Sequence, residues 1–378
     1  MSAVAAPRPG SYPVLEQLVD TVSEAAELER PLCIRGGGSK DFLGGPMLGD
    51  ALDTRMLHGI SCYEPTELVV TARAGTPLTV LEAALAEHGQ CLAFEPPRYS
   101  GPGPGLPGGT VGGMVAAGLA GPGRAAVGSV RDFVLGATLL NGRGEVLSFG
   151  GQVMKNVAGY DVSRALAGSM GALGVICEVS LKVLPVAPAT LTLRVEAEQA
   201  AAIRRVNEWG GQPLPLNASA WWDGMLVLRL CGAAAAVRSA FEKMGGELIA
   251  PETAAAFWGG LRDHTDEFFL GATKAVEAGA GLWRLSVPAT TPPLKLSGEQ
   301  LLEWGGAQRW ICTTAPASVL REAAAAAGGH AVLFRARDKR AGVFEPLKPA
   351  QERIQRGLMR AFDPDGIFNR GRLLPEPR

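Results

Sequence analysis

Three glycine clusters lie between residues 36 and 174 of this chain. The chain has 50 glycines among 378 residues, about twice the usual share of a globular protein. Because glycine lacks a Cβ, such clusters let the backbone approach a ligand closely. This part of the chain is therefore predicted to contact a ligand through its backbone. The clusters are Gly36-Gly37-Gly38-Ser39-Lys40, Gly108-Gly109-Thr110-Val111-Gly112-Gly113 and Gly168-Ser169-Met170-Gly171-Ala172-Leu173-Gly174.

The first cluster directly follows an apolar segment, residues 31–35, which is predicted to be a short buried strand. Consecutive glycines offer unobstructed backbone N–H groups, and Ser39 and Lys40 add a hydroxyl group and a cation. This set of donors suits a pyrophosphate. The spacing fits neither a P-loop nor a Rossmann G-x-G-x-x-G turn, so both nucleotide sites are disfavoured. Taken alone, the cluster is also compatible with a plain tight turn. All three clusters together favour a longer ligand such as FAD.

Helical and strand-like patterns alternate along the chain and predict an α+β protein with more than one domain. The order β-α-β-β-α-β between residues 190 and 249 is typical of a ferredoxin-like fold. No internal repeat is recognisable in the sequence. The predicted divisions are a two-lobed domain at 1–187 (lobes at about 1–95 and 96–187), an α+β cap domain at 188–345 and a C-terminal segment at 346–378 that returns to the first domain.

Composition excludes several functional classes. The formal net charge of −1, without any basic run, argues against a nucleic-acid partner. The six cysteines are scattered without a C-x-x-C pair, so we expect reduced thiols and no iron–sulfur cluster in this chain. The four histidines lie far apart, and no metal site is predicted. No apolar stretch is long enough to span a membrane, and a cytoplasmic location is expected.

The three glycine clusters, in this order and spacing, resemble the PCMH-type FAD-binding domain of the vanillyl-alcohol oxidase family. The resemblance implies a two-lobed FAD-binding domain with a cap. It assigns Arg35 and residues 36–40 to the pyrophosphate, and residues 109–113 to the pyrophosphate and flavin side. It places Gly174 and the Val175 backbone at the adenine or ribose end. Asn369 matches a position near the flavin ring, although Arg370 stands where the family commonly has proline.

Relatives that hold FAD covalently usually have a histidine in or near the first glycine loop, whereas this chain has Ser39 there. The resemblance therefore implies non-covalent FAD. Three further segments, residues 114–122, 128–136 and 153–164, resemble the FAD-binding subunits of bacterial glycolate oxidase complexes. This second resemblance implies an FAD-dependent oxidoreductase that acts on CH–OH groups and oxidises glycolate to glyoxylate. It also implies a GlcD-like flavoprotein partner and a GlcF-like iron–sulfur partner, through which any contact with the inner membrane would be made.

No residue is assigned to catalysis. Relatives that act on 2-hydroxy acids have histidines that ligate a metal or take a proton, and this chain has none at matching spacing. Two alternatives therefore stay open: a structural or electron-relay flavin subunit without its own substrate site, and a stand-alone FAD-dependent 2-hydroxy-acid dehydrogenase. Candidates for contacts to substrate, each with a structural role as the alternative, are Lys155, Asn156, Tyr160, Asp161, Arg124 and Arg131. A partner face or a core position is open for Trp221, Trp222, Trp258 and Trp304.

Overall fold

The structure is a computed structural model that describes residues 13–100, 108–151 and 161–376. The α-helices are α1 (Pro13–Glu27), α2 (Leu78–Glu87), α3 (Val111–Ala117), α4 (Arg124–Val127), α5 (Val130–Phe133), α6 (Val162–Ala165), α7 (Gln199–Gly210), α8 (Ala234–Met244), α9 (Pro251–Asp263), α10 (Glu267–Glu277), α11 (Ala317–Ala326) and α12 (Pro349–Phe362). The strands are β1 (Leu32–Arg35), β2 (Asp50–Asp53), β3 (Ile60–Glu64), β4 (Val69–Arg73), β5 (Gln90–Cys91), β6 (Val134–Leu140), β7 (Val146–Gly150), β8 (Val175–Lys182), β9 (Leu184–Pro185), β10 (Ala189–Glu196), β11 (Leu216–Trp222), β12 (Met225–Gly232), β13 (Glu247–Ile249), β14 (Gly281–Ser286), β15 (Glu299–Glu303), β16 (Gln308–Thr313) and β17 (His330–Arg335).

The first lobe is built on two parallel strands, β1 and β2. The apolar positions between residues 12 and 29 recur at helical spacing and predict a helix before the strand at 31–35; α1 confirms this order and covers the strands with its apolar face. The C-terminal tail adds to the same layer, because Phe368 forms a parallel bridge with Leu32. The tail thus lies beside β1, immediately before the first glycine cluster. The buried face of α1 consists of Leu15, Leu18, Val22 and Ala25.

The second lobe contains a five-stranded antiparallel sheet with the order β3-β4-β8-β6-β7. The residues Asn141-Gly142-Arg143-Gly144 between two strand-like runs predict a hairpin, and the hairpin is present, with Leu140 paired to Val146 across the turn. Helices α2 and α3 pack on the sheet through a buried apolar core. This packing brings the beginning of α3, where the second glycine cluster lies, against the end of β4.

The pair Thr76-Pro77, directly before a helical pattern, predicts that Thr76 caps the helix, but Thr76 does not cap α2. The helix begins at Leu78 with Pro77 in the N-cap position, and that position makes no side-chain capping bond. The buried Thr76 hydroxyl instead contacts Gly59, accepting from its backbone N–H at 2.9 Å and donating to its carbonyl oxygen at 3.1 Å. The Thr76 hydroxyl group bonds to Gly59, which is distant in sequence, and is therefore not available to cap the N-terminus of α2.

The remaining strands form one eight-stranded sheet, called the cap sheet, with the order β13-β10-β12-β11-β15-β16-β14-β17. Its first four strands have the order expected for the ferredoxin-like pattern. The last four strands show the mirror image of this order across the centre of the sheet. The two halves join where β11 pairs with β15, through Ala220 with Glu303 and Trp221 with Leu302. The two halves share their strand order but not their residues, which explains why no repeat is recognisable in the sequence. The sequence patterns also did not predict α9, α10 and β15.

The α+β fold class is thus confirmed. We propose the boundary between the FAD-binding domain and the cap in the short connection from Pro185 to Ala189. Tryptophans 221, 222, 258 and 304 all donate their indole N–H to a described acceptor, but only Trp258 is buried, whereas the other three are half-buried. No helix in the described part of the chain has the length and apolarity needed to cross a membrane.

Candidate functional site

The first glycine cluster forms a loop at the end of β1. Its neighbours β2 and Phe368 fix both sides of the strand, which directs residues 36–40 into a cavity. Gly38 has a φ of +70°, which strains any other residue except in special cases. Within the described part of the chain, the backbone N–H groups of residues 36–40 donate no hydrogen bond. The loop therefore offers a row of unused donors to the cavity.

The second glycine cluster faces the first across this cavity. Thr110 is the N-cap of α3, and its hydroxyl oxygen accepts from the Gly113 N–H at 3.3 Å. A Cβ at Gly109 would lie 3.2 Å from both Lys40 Nζ and Ser39 Oγ, and one at Gly36 would lie 2.5 Å from Thr110 Oγ1. The two clusters therefore touch only because both have glycines at the points of contact.

Lys40 places an ammonium group at the site. Its Nζ lies 3.4 Å from Ser39 Oγ and 5.6 Å from the centre of the Tyr99 ring. No carboxylate of the described residues lies within 4.0 Å of it, and the residues outside the described ranges include no Asp or Glu. Burial lowers the pKa of Lys40 to about 8, and the more distant charge of Asp263 opposes this shift. An unpaired enclosed ammonium beside free backbone donors fits an anion such as a diphosphate.

The C-terminal tail closes the cavity from a third side. The buried Asn369 donates from Nδ2 to the Met170 carbonyl oxygen at 2.6 Å and accepts at Oδ1 from the Ile34 N–H at 2.8 Å. Its amide thus joins the third glycine cluster to β1. Arg370, at the position where the family commonly has proline, donates instead to the Gly366 carbonyl oxygen of its own turn. It therefore leaves the Asn369 contacts undisturbed.

Two charged residues of the cavity were not predicted from the sequence. Arg372 donates to the carbonyl oxygens of Lys40 at 3.3 Å, Asp41 at 3.1 Å and Gly45 at 2.8 Å. It thereby fixes the chain that leaves the first glycine loop. Asp41 is paired with Arg35 at 2.6 Å, which holds the Arg35 side chain at the loop. The contacts of Arg372 follow no local sequence signal, because this residue reaches the loop from the far end of the chain.

The structure brings most of the predicted site residues to one cavity. Arg35, residues 36–40, Gly112, Gly113, Gly174 and Asn369 line it. Gly109, Thr110 and Val111 are not among the lining residues, although Gly109 and Thr110 contact the first glycine cluster; Val111 donates its N–H to the Thr76 carbonyl oxygen. The Val175 side chain is buried in the core under α1, while Gly174 and Ile176 on either side reach the cavity. Met170 and Gly171 of the third glycine cluster also line it, as do Thr54 and Ala74, which the sequence did not indicate.

The candidate substrate residues lie elsewhere. Lys155, Asn156 and Tyr160 are outside the described residues. Asp161 is exposed and caps α6, accepting from the Arg164 N–H at 3.3 Å. Arg131 is exposed, and the exposed Arg124 lies over the Trp304 ring at 4.6 Å. None of the described members of this group lines the cavity of the glycine clusters.

Comparison with known proteins agrees with this architecture. A family model described as "FAD binding domain" matches residues 14–150. The glycolate oxidase subunit GlcE of Escherichia coli K12 is 46% identical over 361 residues, which cover 96% of this chain and 97% of that protein. A D-lactate dehydrogenase of Archaeoglobus fulgidus is 32% identical over 45% of this chain and 37% of that protein.

A solved structure of alkyldihydroxyacetonephosphate synthase has a TM-score of 0.64 at 14% identity, covering 94% of this chain and 74% of that chain. At this identity the likeness shows the fold alone. The resemblance predicted from the glycine clusters is therefore confirmed, as is FAD as the cofactor. The chain belongs to the GlcE family of glycolate oxidase subunits, with a PCMH-type FAD-binding domain.

Proposed function

We propose that the facing loops 36–40 and 109–113 hold the pyrophosphate of FAD. The observation that supports this most directly is the unpaired, enclosed Lys40 beside five backbone N–H groups without a protein acceptor among the described residues. Backbone N–H groups and a lysine are the donors that commonly bind phosphate oxygens. Arg35 and Arg372 stand beside the loop and stabilise its conformation through Asp41 and the Lys40 carbonyl oxygen.

We infer that the FAD is held without a covalent bond. Ser39 occupies the loop, and no histidine or cysteine is among the described residues that line the cavity. Gly174 and the Val175 backbone are proposed at the adenine or ribose end. Asn369 is proposed near the flavin ring, where its amide positions the surrounding backbone, because both of its polar atoms already have protein partners.

The activity that these features support best is oxidation of glycolate to glyoxylate by a complex that includes this chain. The support is the relation to the E. coli GlcE subunit over nearly the whole of both chains. Because that relative is a subunit, we propose a GlcD-like flavoprotein partner and a GlcF-like iron–sulfur partner; a segment of 58 residues of this chain is itself 40% identical to the GlcD subunit of Bacillus subtilis. Bound FAD would accept the two electrons of the alcohol and pass them on to the partners. Any association with the inner membrane is proposed to go through those partners.

An anaerobic absorption spectrum of the purified full chain, before and after addition of glycolate, tests this proposal. A flavin band that co-purifies or appears after incubation with FAD supports the loop assignment. Bleaching by glycolate would make the single chain a dehydrogenase, whereas bleaching only in the presence of the partner subunits would support the complex. Absence of bound flavin under every condition would overturn the assignment.

The variant Gly37→Leu sharpens the test, because a side chain there would occupy the space proposed for the pyrophosphate. We expect a folded protein without FAD. Its matched control is Gly210→Leu, at a position on α7 where nothing lies within 4 Å of an added Cβ. Stoichiometric FAD in folded Gly37→Leu would contradict the assignment of the pyrophosphate to this loop. It would show that the protein binds FAD at another place.

A further inference from the structure

Two arginines of the cap sheet have no anionic partner. Arg284 lies on β14 and Arg335 at the end of the neighbouring strand β17, where Arg335 pairs with Leu282. No carboxylate of the described residues lies within 4.0 Å of either guanidinium group, and the remaining residues of the chain include no Asp or Glu. Neither group donates a hydrogen bond within the described part of the chain. They lie on aromatic rings instead, Arg335 at 3.5 Å from the centre of Phe42 and Arg284 at 5.6 Å from that of Phe334.

Other enclosed arginines of the cap sheet are fully matched. Arg309 is buried and donates from Nε to the Gly306 carbonyl oxygen at 3.1 Å and from Nη1 to that of Pro292 at 2.8 Å. Arg229 is paired with Glu95 at 2.8 Å. Enclosed charges without a partner are costly, so proteins pair them or use them to bind a ligand. The absence of partners at Arg284 and Arg335 therefore indicates an anionic ligand.

Neutral polar groups lie beside the two arginines. The hydroxyl group of the buried Tyr99 lies 3.3 Å from Nε2 of His264, whose ring is stacked on Phe269 with 3.6 Å between centroids. Nδ1 of His264 is buried and has no hydrogen-bond partner among the described residues. Burial lowers the pKa of His264 well below its usual value, and the charges of Arg284 and Arg335 lower it further. The histidine is thus kept neutral, as a donor or acceptor for a ligand group.

Tyr99, His264, Arg284 and Glu303 border one small cavity, in which Glu303 is the one carboxylate among the described lining residues. One of its two oxygens is occupied. Glu303 accepts from the Trp310 indole N–H at 2.7 Å and from Gln308 Nε2 at 2.9 Å, both on the same oxygen. Burial raises the pKa of Glu303 to about 7, so its negative charge is only partly present near neutrality. The region consequently keeps an excess of positive charge that Glu303 does not neutralise.

We propose that Arg284 and Arg335 bind the carboxylate of a small 2-hydroxy acid, at a site that this chain itself supplies between the cap sheet and the FAD cavity. The inference rests on the proposed function. Tyr99 connects the two places, because its ring has Lys40 at 5.6 Å and Arg335 at 5.4 Å from its centre. A carboxylate matches the planar fork of a guanidinium group. The Tyr99–His264 pair then provides neutral hydrogen-bonding groups for the rest of the ligand.

The proposed site explains how this chain could bind a 2-hydroxy acid without the histidine pair found in related enzymes. A substrate site based on two arginines and one neutral histidine needs no metal-ligand spacing in the sequence. It favours direct contact of this chain with the hydroxy acid over a purely relaying role. Its position beyond Tyr99, on the cap sheet, separates it from the loops proposed for the pyrophosphate, so the two sites can be tested independently.

The test is titration of the full FAD-loaded chain with oxalate, a small dicarboxylate without a C–H bond to oxidise. Binding is followed by the change in flavin absorption and by calorimetry, and calorimetry is repeated without FAD. We expect saturable binding to the wild type, and a Kd at least about tenfold higher for Arg284→Met and Arg335→Met at unchanged FAD content. The matched control is Arg340→Met, because the Arg340 side chain is 92% exposed. Melting temperature and tryptophan fluorescence verify that each variant is folded.

Further arms separate the possible ligands. Neutral glycolamide should bind weakly, since it lacks the carboxylate. Inorganic diphosphate should compete with FAD and depend on Lys40, with little effect of the two cap arginines. Loss of FAD in Arg284→Met or Arg335→Met with unchanged oxalate binding would assign these arginines to the cofactor and overturn the proposal. So would the absence of any oxalate binding to the wild type by either method. Failure of the wild type to take up FAD, with oxalate binding intact in calorimetry, would instead refute the proposed function alone.

Discussion

Asn369 accepts a hydrogen bond from the backbone N–H of Ile34 at 2.8 Å, across 335 positions of sequence. The side-chain amide of Asn369 also donates to the Met170 carbonyl oxygen at 2.6 Å. The backbone N–H of Asn369 donates to the Leu32 carbonyl oxygen at 2.9 Å. One buried side chain thus joins β1, the third glycine cluster and the C-terminal tail. The φ of Asn369 is +44°, a conformation that asparagine tolerates better than most residues.

Replacement of this amide should loosen the cavity. We expect Asn369→Ala to lower the free energy of unfolding by about 2–4 kcal/mol, because two buried backbone groups lose their partners. FAD should be retained more weakly. Chemical unfolding with FAD quantified after gel filtration checks both effects. Asn369→Asp keeps the acceptor for Ile34 and should lose less; equal stability of Asn369→Ala and wild type would disprove the structural role.

FAD affinity should fall at alkaline pH because of Lys40. Without FAD its pKa is lowered to about 8, so the ammonium is charged below that pH and is increasingly neutral above it. A phosphate anion favours the charged form, and binding above pH 8 therefore requires uptake of a proton. We predict that the Kd for FAD rises by up to about tenfold per pH unit above pH 8.

Fluorescence titration of FAD between pH 6 and pH 10 measures this slope. Lys40→Met should bind about 10–100-fold more weakly at neutral pH and show a flatter profile, since the titrating charge is gone. The exposed lysine variant Lys274→Met is the matched control and should behave as wild type. An unchanged slope in Lys40→Met would show that another group is responsible.

Glu303 should make the wild type less stable as the pH rises. Its pKa is raised by burial from 4.5 to about 7 in the folded protein. The folded state therefore favours the protonated form, and stability is lost as the pH increases from the unfolded pKa through the folded one. Relative to Glu303→Gln, we expect the wild type to lose about 3 kcal/mol between pH 4 and pH 8. Urea unfolding across this range checks the difference, with the exposed Glu242→Gln as the control.

Gly112 should be intolerant of even one methyl group. A Cβ there would lie 2.6 Å from the Ala74 Cβ, because α3 contacts the end of β4 at this point. We expect Gly112→Ala to cost about 1–3 kcal/mol through overpacking and to displace the second glycine loop. Gly210→Ala, on a helix with open space around it, should be neutral or slightly stabilising. Similar melting temperatures for both variants would contradict the close contact.

The sequence was most informative where a structural feature depends on adjacent residues. The strand at 31–35 followed by glycines, the hairpin turn at 141–144 and the β-α-β-β-α-β order are all local patterns, and the structure contains each of them. Thr76 was assigned to the wrong partner, since its hydroxyl group bonds to Gly59 and not to the helix that follows it.

The unpredicted parts of the site depend on distant contacts. Arg372 donates a hydrogen bond to the Lys40 carbonyl oxygen, 332 positions away in sequence. The residues around Arg372 give no pattern from which this contact could be predicted. Arg284 and Arg335 meet Tyr99 only after the cap sheet has folded onto the FAD-binding lobes. These two arginines are notable because no carboxylate of the described residues pairs with them, and the absence of an ion pair can be seen only in a structure.

The clamp made by Asn369 and Arg372 also sets the time at which the cofactor can be secured during synthesis. The ribosome has finished the entire cap before either residue is made, and both must leave its exit tunnel before they can reach the first glycine loop. Domains near the N-terminus generally fold first on the ribosome. Here, however, the glycine loops of the early lobes must wait for the last helix and its tail. The walls of the cavity are therefore complete only after the whole cap has been synthesised.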